Sequence, residues 1–217
     1  MNQNCAVIAG VMKDLDAPAH DKKGLAIREK DILTVVSRIV EALIDNRQVI
    51  NQLSDIRMPD GYLFAHSVNC CIIATMLGVK MNYDIKTLRQ LATGALLHDI
   101  GFVALPKMIL KKPDKLTDEE YEAVKKHPQH GHEIFRRSNL YSKEAAEIIL
   151  QHHERCQGQG YPRGIRLDNT SELAQIVSLV DVYDALTSEK NYRDRYYVHE
   201  AIEMILGWGE ELFNPKI

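Results

Sequence analysis

The residues best suited to chemistry in this chain sit where apolar segments stop. Ala95-Leu96-Leu97 runs straight into His98-Asp99, and Ile100-Gly101 follows. An adjacent imidazole and carboxylate can both reach one metal ion; the plain alternative is a capped, hydrogen-bonded pair at a helix end. Gln151-His152-His153-Glu154 repeats the design, closing a periodic segment before Gly158-Gln159-Gly160-Tyr161-Pro162. Two glycines and a proline impose a loop of unusual backbone there. Asp181 and Asp184 stand three residues apart on one face of a segment containing Ile176, Val177, Leu179, Val180 and Leu186. A carboxylate in so apolar a helix is costly unless it is paired or binds a metal. His66 lies among apolar neighbours, where a satisfied core histidine is the alternative. His127, His130 and His132 fit a solvated helix face, a reading retained for the last two.

These groups need helices to position them. Ile32, Val35, Val36, Ile39, Val40, Leu43 and Ile50 recur at three- and four-residue spacing, which predicts one long amphipathic helix over 27–53. A second helix is predicted over 62–77, carrying His66. A third spans 85–99, with Asp84 as its N-cap and Gly101 placed to end it. That puts His98 and Asp99 in its last turn, where the negative end of the helix dipole favours a cation. Residues 102–115 read as a loop containing Pro106 and Pro113. Thr117-Asp118-Glu119-Glu120 has capping-box spacing and starts a helix that stops near His127-Pro128. Further helices are predicted through Ile134 and Phe135, over 142–154, over 171–187 and, amphipathic and plain, over 198–206. With no strand pattern, repeat or low-complexity tract, the fold class is all-α.

Composition narrows the function classes. The 217 residues are 45% hydrophobic and 26% charged, enough to bury a sizeable core. A net charge of −3 offers no basic field for a nucleic acid polymer or an acidic membrane, so phosphate binding has to be local. Cys5, Cys70, Cys71 and Cys156 show no C-x-x-C spacing. A reduced, cytoplasmic setting is expected, and no apolar run is long enough to span a bilayer.

The ordered series His66-Ser67, His98-Asp99-Ile100-Gly101, Pro106 with Ile109-Leu110, Lys112-Pro113, Leu116-Thr117, His127-Pro128 with Gly131, His152-His153-Glu154 with Gly158-x-Gly160-Tyr161-Pro162, and Asp181-x-x-Asp184-Ala185-Leu186-Thr187-Ser188 resembles the HD-GYP family. The resemblance covers about residues 60–195. It implies an HD-domain helical bundle with a buried metal site over 59–217, preceded by an N-terminal segment and long helix, 1–58, packing on the core. Residues 208–217 resemble the approach to a last helix of the family, which implies a chain shortened at its C-terminus. The implied activity is metal-dependent phosphodiester hydrolysis of cyclic di-GMP to pGpG, GMP or both. Implied metal ligands are His66, His98, Asp99, His127, His152, His153 and Asp181, with Asp99 bridging two ions and His98 and Asp99 the catalytic pair. Iron or manganese is favoured over zinc, and two ions would hold a bridging hydroxide for in-line attack on phosphorus. Lys190 and Arg193 match positions that contact phosphate, or are exposed surface charge. Tyr161 lines the pocket or packs its loop, and Asp184 is placed with the substrate-binding residues.

Departures from the family pattern shape the alternatives. Phe102 stands where a lysine is usual, removing a cation that could hold a phosphate oxygen. Tyr62 replaces the glutamate that supplies a third metal in some members, so two ions are expected. Cys156 and Gln157 replace tryptophan and aspartate, and Asp114 a common glycine. A second hypothesis is therefore a binding or regulatory module with slow or no turnover, acting through a partner such as a GGDEF-type diguanylate cyclase domain. A third is an HD phosphohydrolase of another cyclic dinucleotide.

Overall fold

The computed structural model describes residues 22–45, 62–110, 112, 114–188 and 195–217. In chain order these form α1 (Lys22–Asp45), α2 (Tyr62–Lys80), α3 (Ile85–Leu97), α4 (Lys107–Leu110), α5 (Asp118–Val124), α6 (His127–Arg136), α7 (Lys143–Gln151), α8 (Glu172–Thr187) and α9 (Val198–Leu212). Two 3-10 turns, Ile100–Ala104 and Leu167–Asn169, complete the set, with no strand among the described residues.

The apolar character of α2 and α8 dictates the arrangement, because a helix apolar nearly all round has to be central. α2 buries Val68, Cys70, Cys71, Ile72 and Ala74; α8 buries Leu173, Ala174, Ile176, Val177 and Val180, while Leu179 is half-buried. α2 packs on α3 and α8, and α7 packs on α3 and α8. α1 covers α2 and α3, contributing Ile32, Val35, Val36, Ile39, Val40 and Leu43 to the same core. Each fully buried side chain of this kind contributes about 1.5–3 kcal/mol. The remainder of the predicted first helix, residues 46–53, and the expected division at residue 58 lie outside the described residues.

Local capping accounts for several boundaries. Asp84 accepts a hydrogen bond from the Thr87 N–H at 2.7 Å, and Ser142 accepts one from Ala145 at 3.2 Å. Thr117 and Glu120 form the reciprocal capping box at the start of α5.

The segment after α3 departs from expectation. The helix stops at Leu97, His98 is its C-cap, and Asp99 lies in the turn beyond. Gly101 does not end α3. It lies in the 3-10 turn, where an added Cβ would meet the His127 carbonyl oxygen at 1.9 Å and the Gly131 nitrogen at 2.6 Å. Only a residue without Cβ lets this turn touch the backbone of α6. The predicted loop over 102–115 is also more regular than expected: the Pro106 carbonyl accepts from Ile109 at 3.0 Å and starts α4. At the C-terminal side α9 continues beyond 206 to Leu212, with a kink at Gly209.

Candidate metal centre

Five helices deliver their polar residues to one buried point. His66 projects from within α2, His98 and Asp99 follow α3, His127 opens α6, His152 and His153 follow α7, and Asp181 comes from α8. The ends of α3 and α7 both point their negative dipoles at this region, favouring positive charge.

Backbone carbonyls orient three of the imidazoles. Nδ1 of His98 donates to the Ala95 carbonyl at 2.8 Å, Nδ1 of His127 to Val124 at 2.8 Å and Nδ1 of His152 to Ile149 at 3.0 Å. A carbonyl only accepts, so Nδ1 of each ring carries a proton and Nε2 faces inward, where it offers a lone pair once it is deprotonated. His66 is held by a carboxylate: its Nδ1 donates to Asp184 Oδ2 at 2.7 Å, and Asp184 Oδ1 accepts from Asn69 at 2.9 Å. These outer bonds set ring orientation and ligand basicity.

The Asp99 carboxylate divides the inward nitrogens into two groups. Its Oδ1 lies 3.2 Å from His127 Nε2 and 3.7 Å from His152 Nε2. Its Oδ2 lies 3.3 Å from His98 Nε2 and 3.9 Å from His66 Nε2. Asp181 also spans the groups, with Oδ1 3.2 Å from His66 Nε2 and Oδ2 3.8 Å from His153 Nδ1.

Two observations test whether a metal fits. His98 Nε2 is fully buried and has no hydrogen-bond partner, a costly condition for a polar atom. His127 Nε2 and His152 Nε2 are 3.2 Å apart although both Nδ1 positions are committed to carbonyls. Facing lone pairs repel unless a cation or a proton joins them. A donor set of imidazoles and carboxylates with these properties fits first-row divalent metals.

Charge balance says the same. Burial penalises ionisation of Asp99, but His98, His127 and His152 outweigh it and hold the carboxyl well below its ordinary range. Burial likewise opposes charge on Asp181, which His66 and His153 nevertheless hold low. Burial alone would lower His66; the Cys70 sulfur, Asp181 and Asp184 raise it well above the usual imidazole value. His98 is also raised, with burial outweighed by Asp99. Burial pushes His152 down to about 4 and His153 well below normal. The upward shifts at His66 and His98 mark where the centre favours positive charge, which ions would supply.

The remaining predicted residues take different places. Asp184 is buried behind His66 and also accepts from the Ser188 hydroxyl at 3.1 Å. Tyr161 stacks on His153 with ring centroids 4.5 Å apart. Its loop is anchored by buried Glu154, which accepts from the Arg163 and Ile165 N–H groups at 2.8 and 3.0 Å. Gly160 permits this, since a Cβ there would meet the His153 carbonyl oxygen at 2.4 Å. Phe102 stacks on His127 at 4.3 Å, with planes 10° apart. His130 and His132 are half-buried and outside the cluster. Lys190 and Arg193 lie outside the described residues, as does the Tyr62 side chain. Sequence reasoning missed Asn69, which positions Asp184, and Cys70, whose sulfur lies beside His66; their signal was spacing, three and four residues after His66 on one helix face.

A family model described as the HD domain matches residues 38–217. Over 196 residues the chain is 33% identical to a cyclic di-GMP phosphodiesterase of Pseudomonas aeruginosa, covering 90% of this chain and 47% of that protein. It is 36% identical over 122 residues to a 3′3′-cGAMP-specific phosphodiesterase of Vibrio cholerae, covering 56% of this chain and 23% of the other. The chain spans about half the length of the first curated relatives it matches. Among solved structures, an HDG"Y"P protein from Bdellovibrio bacteriovorus superposes with a TM-score of 0.75 at 22% identity, over 98% of this chain and 65% of that one, which bears on the fold. No helix among the described residues is long and apolar enough to cross a membrane.

Proposed function

The chain belongs to the HD-domain family, in its HD-GYP group, and on that premise we propose that its buried centre is a two-metal phosphodiesterase site that hydrolyses cyclic di-GMP to pGpG, GMP or both. The observation that carries the reading is the division of Asp99, one oxygen toward His127 and His152 and the other toward His98 and His66. A carboxylate so placed would have one oxygen available to each of two ions. His127, His152 and His153 would complete one site, and His66, His98 and Asp181 the other, with iron or manganese as the ions. When bound, such ions supply Lewis acidity toward phosphodiester oxygens and a water acidic enough to act near neutral pH.

The chain's own residues do the rest. Asp184, expected at the substrate, is assigned instead to orient His66, because its carboxylate is buried and already engaged by His66, Asn69 and Ser188. Tyr161 and Phe102, stacked on His153 and His127, would wall the centre with aromatic surface and limit water around it. Lys190 and Arg193 would grip the phosphate, the arginine bidentately. In hydrolysis a water oxygen bonds to phosphorus, the P–O3′ bond breaks, and the ribose oxygen takes a proton.

Phe102 favours a second reading, a cyclic dinucleotide-binding module with little turnover that acts through a partner such as a diguanylate cyclase domain. The experiment is product analysis on protein loaded anaerobically with Fe(II) or Mn(II), with metal counted on the same sample. About two ions per chain and formation of pGpG or GMP are expected. Two ions with cyclic di-GMP bound but uncut would move the assignment to the binding module. Preferential cleavage of a mixed-base cyclic dinucleotide in competition would move it to a different substrate.

A further inference from the structure

The turn after α7 carries His152 and His153, and α8 carries Asp181; the two elements meet at the centre with His153 Nδ1 3.8 Å from Asp181 Oδ2. A side chain outside the cluster bridges them. Arg155 folds back along the chain, and its Nη1 donates to the Glu154 carbonyl at 3.0 Å, to the His152 carbonyl at 3.3 Å and to the Ser178 hydroxyl oxygen. The His153 carbonyl between them accepts from the Tyr161 N–H at 3.1 Å. The last carbonyls of a helix lack partners within it, and a cation placed among them also meets the negative end of the dipole. Ser178 is buried and lies one turn before Asp181 on the same face of α8. One guanidinium therefore touches the backbone on either side of His153 and the helix face beside Asp181.

The guanidinium is itself held in place. Its Cζ lies 5.8 Å from the ring centroid of buried Phe213, within cation–π range, and the neighbouring Cys156 N–H donates to the Leu212 carbonyl at 3.4 Å. Gln151 also links α7 to α8, accepting from the Ser171 N–H at 2.7 Å, but it does so at the N-terminal end of α8, away from Asp181. We infer that Arg155 is a positioning residue for the metal centre: it ties the His152–His153 turn to α8 beside Asp181 and so fixes the separation of the two half-sites. A planar fork of donors suits this task, because it reaches carbonyls and a hydroxyl from one rigid group. Without it, Asp181 keeps its 3.2 Å contact with His66, and the turn is the part set free. The ion of His127, His152 and His153 should then weaken more than the ion of His66, His98 and Asp181. The inference rests on the two-metal reading but not on the identity of the nucleotide.

Manganese(II) is the probe, titrated into the full chain and followed by electron paramagnetic resonance. The unaltered chain is expected to take up about two ions whose spins are exchange-coupled. Arg155→Ala should bind the second ion about 10–100-fold more weakly, the loss usual for a partner behind a metal ligand, and show an uncoupled, mononuclear signal before that ion enters. Ser178→Ala cuts only the α8 end of the tie and should shift the same ion in the same direction by less. Leu43→Ala is the control, since it deletes a buried side chain of α1, a helix without ligands; it should lower Tm and leave the manganese spectrum unchanged. Circular dichroism checks that each variant is folded, and should Arg155→Ala fail to fold, Ser178→Ala decides the matter. Unchanged affinity and coupling in either folded variant overturns the tie and leaves the two-metal reading intact. Equal loss of coupling in Leu43→Ala also overturns it, because general destabilisation would then suffice. Failure of the unaltered chain to bind a coupled pair overturns both readings.

Discussion

Replacing Gly101 by Ala tests whether the contact between the 3-10 turn and α6 positions the metal centre. The new Cβ would start 1.9 Å from the His127 carbonyl oxygen and 2.6 Å from the Gly131 nitrogen. Ordinary contact begins near 3.4 Å, so the turn and α6 have to separate by about 1.5 Å, at a cost of roughly 1–3 kcal/mol. In a domain of this size each kcal/mol lowers Tm by about 2–4 °C, giving a fall of roughly 2–12 °C. Asp99 sits two residues before Gly101, and His127 carries the obstructing carbonyl. The 3.2 Å approach of Asp99 Oδ1 to His127 Nε2 is therefore disrupted directly. A displacement near 1 Å costs about 100-fold in a positioned reaction, so activity is expected to fall further than stability. Gly131→Ala is the graded comparison: its Cβ starts 3.0 Å from an Ile149 methyl and 3.1 Å from the Gly101 nitrogen. It should be milder in both respects. Metal counting and thermal melting on the two variants are sufficient. Gly101→Ala with full metal content and an unchanged Tm would refute the reasoning.

Asp99→Ala is expected to abolish metal binding and hydrolysis together, because both groups of imidazoles lose their shared carboxylate; full metal content in this variant argues against bridging. Asp184→Asn should weaken metal binding about 10–100-fold without unfolding the chain, as expected for loss of a charged partner behind a ligating histidine; an unchanged dissociation constant removes Asp184 from its orienting role. Phe102→Lys should raise turnover if the missing cation limits the reaction, and no change means another group already serves. Because folding raises the pKa of His66 and His98, their stabilisation of the metal-free protein is complete below the ordinary imidazole value and is lost as pH rises through the raised values. Melting of the metal-free chain should therefore decline from neutral toward alkaline pH. The same protons have to leave when metal binds, so apparent affinity should rise with pH. Calorimetry in two buffers of different ionisation enthalpy measures the release, and none at pH 7 contradicts the raised values.

Much was legible from local pattern alone. Three- and four-residue periodicity marked the core faces of α1 and α8, and short-range side-chain chemistry marked the caps at Asp84 and Thr117. The His98-Asp99 and His152-His153 pairs announced themselves as polar breaks after apolar helices. All of these signals depend on neighbours within about one turn, which sequence order preserves. Tertiary packing decided the rest. Asp184 shares a helix face with Asp181, yet one carboxylate enters the cluster while the other supports His66, 118 residues away in the chain. Gly101 read as a helix stop; its use is a backbone crossing with α6, a segment that spacing within α3 cannot report. Cys70 and Cys71 are adjacent and equally apolar in sequence, and only the placement of α3 and α8 around α2 gives one a carbonyl and the other an imidazole at the metal centre. The chain's own periodicity determined which helices form and which faces they bury. How Asp99 divides its two oxygens among four histidines was set by the packing of helices distant in sequence, because that geometry exists only once the core has closed.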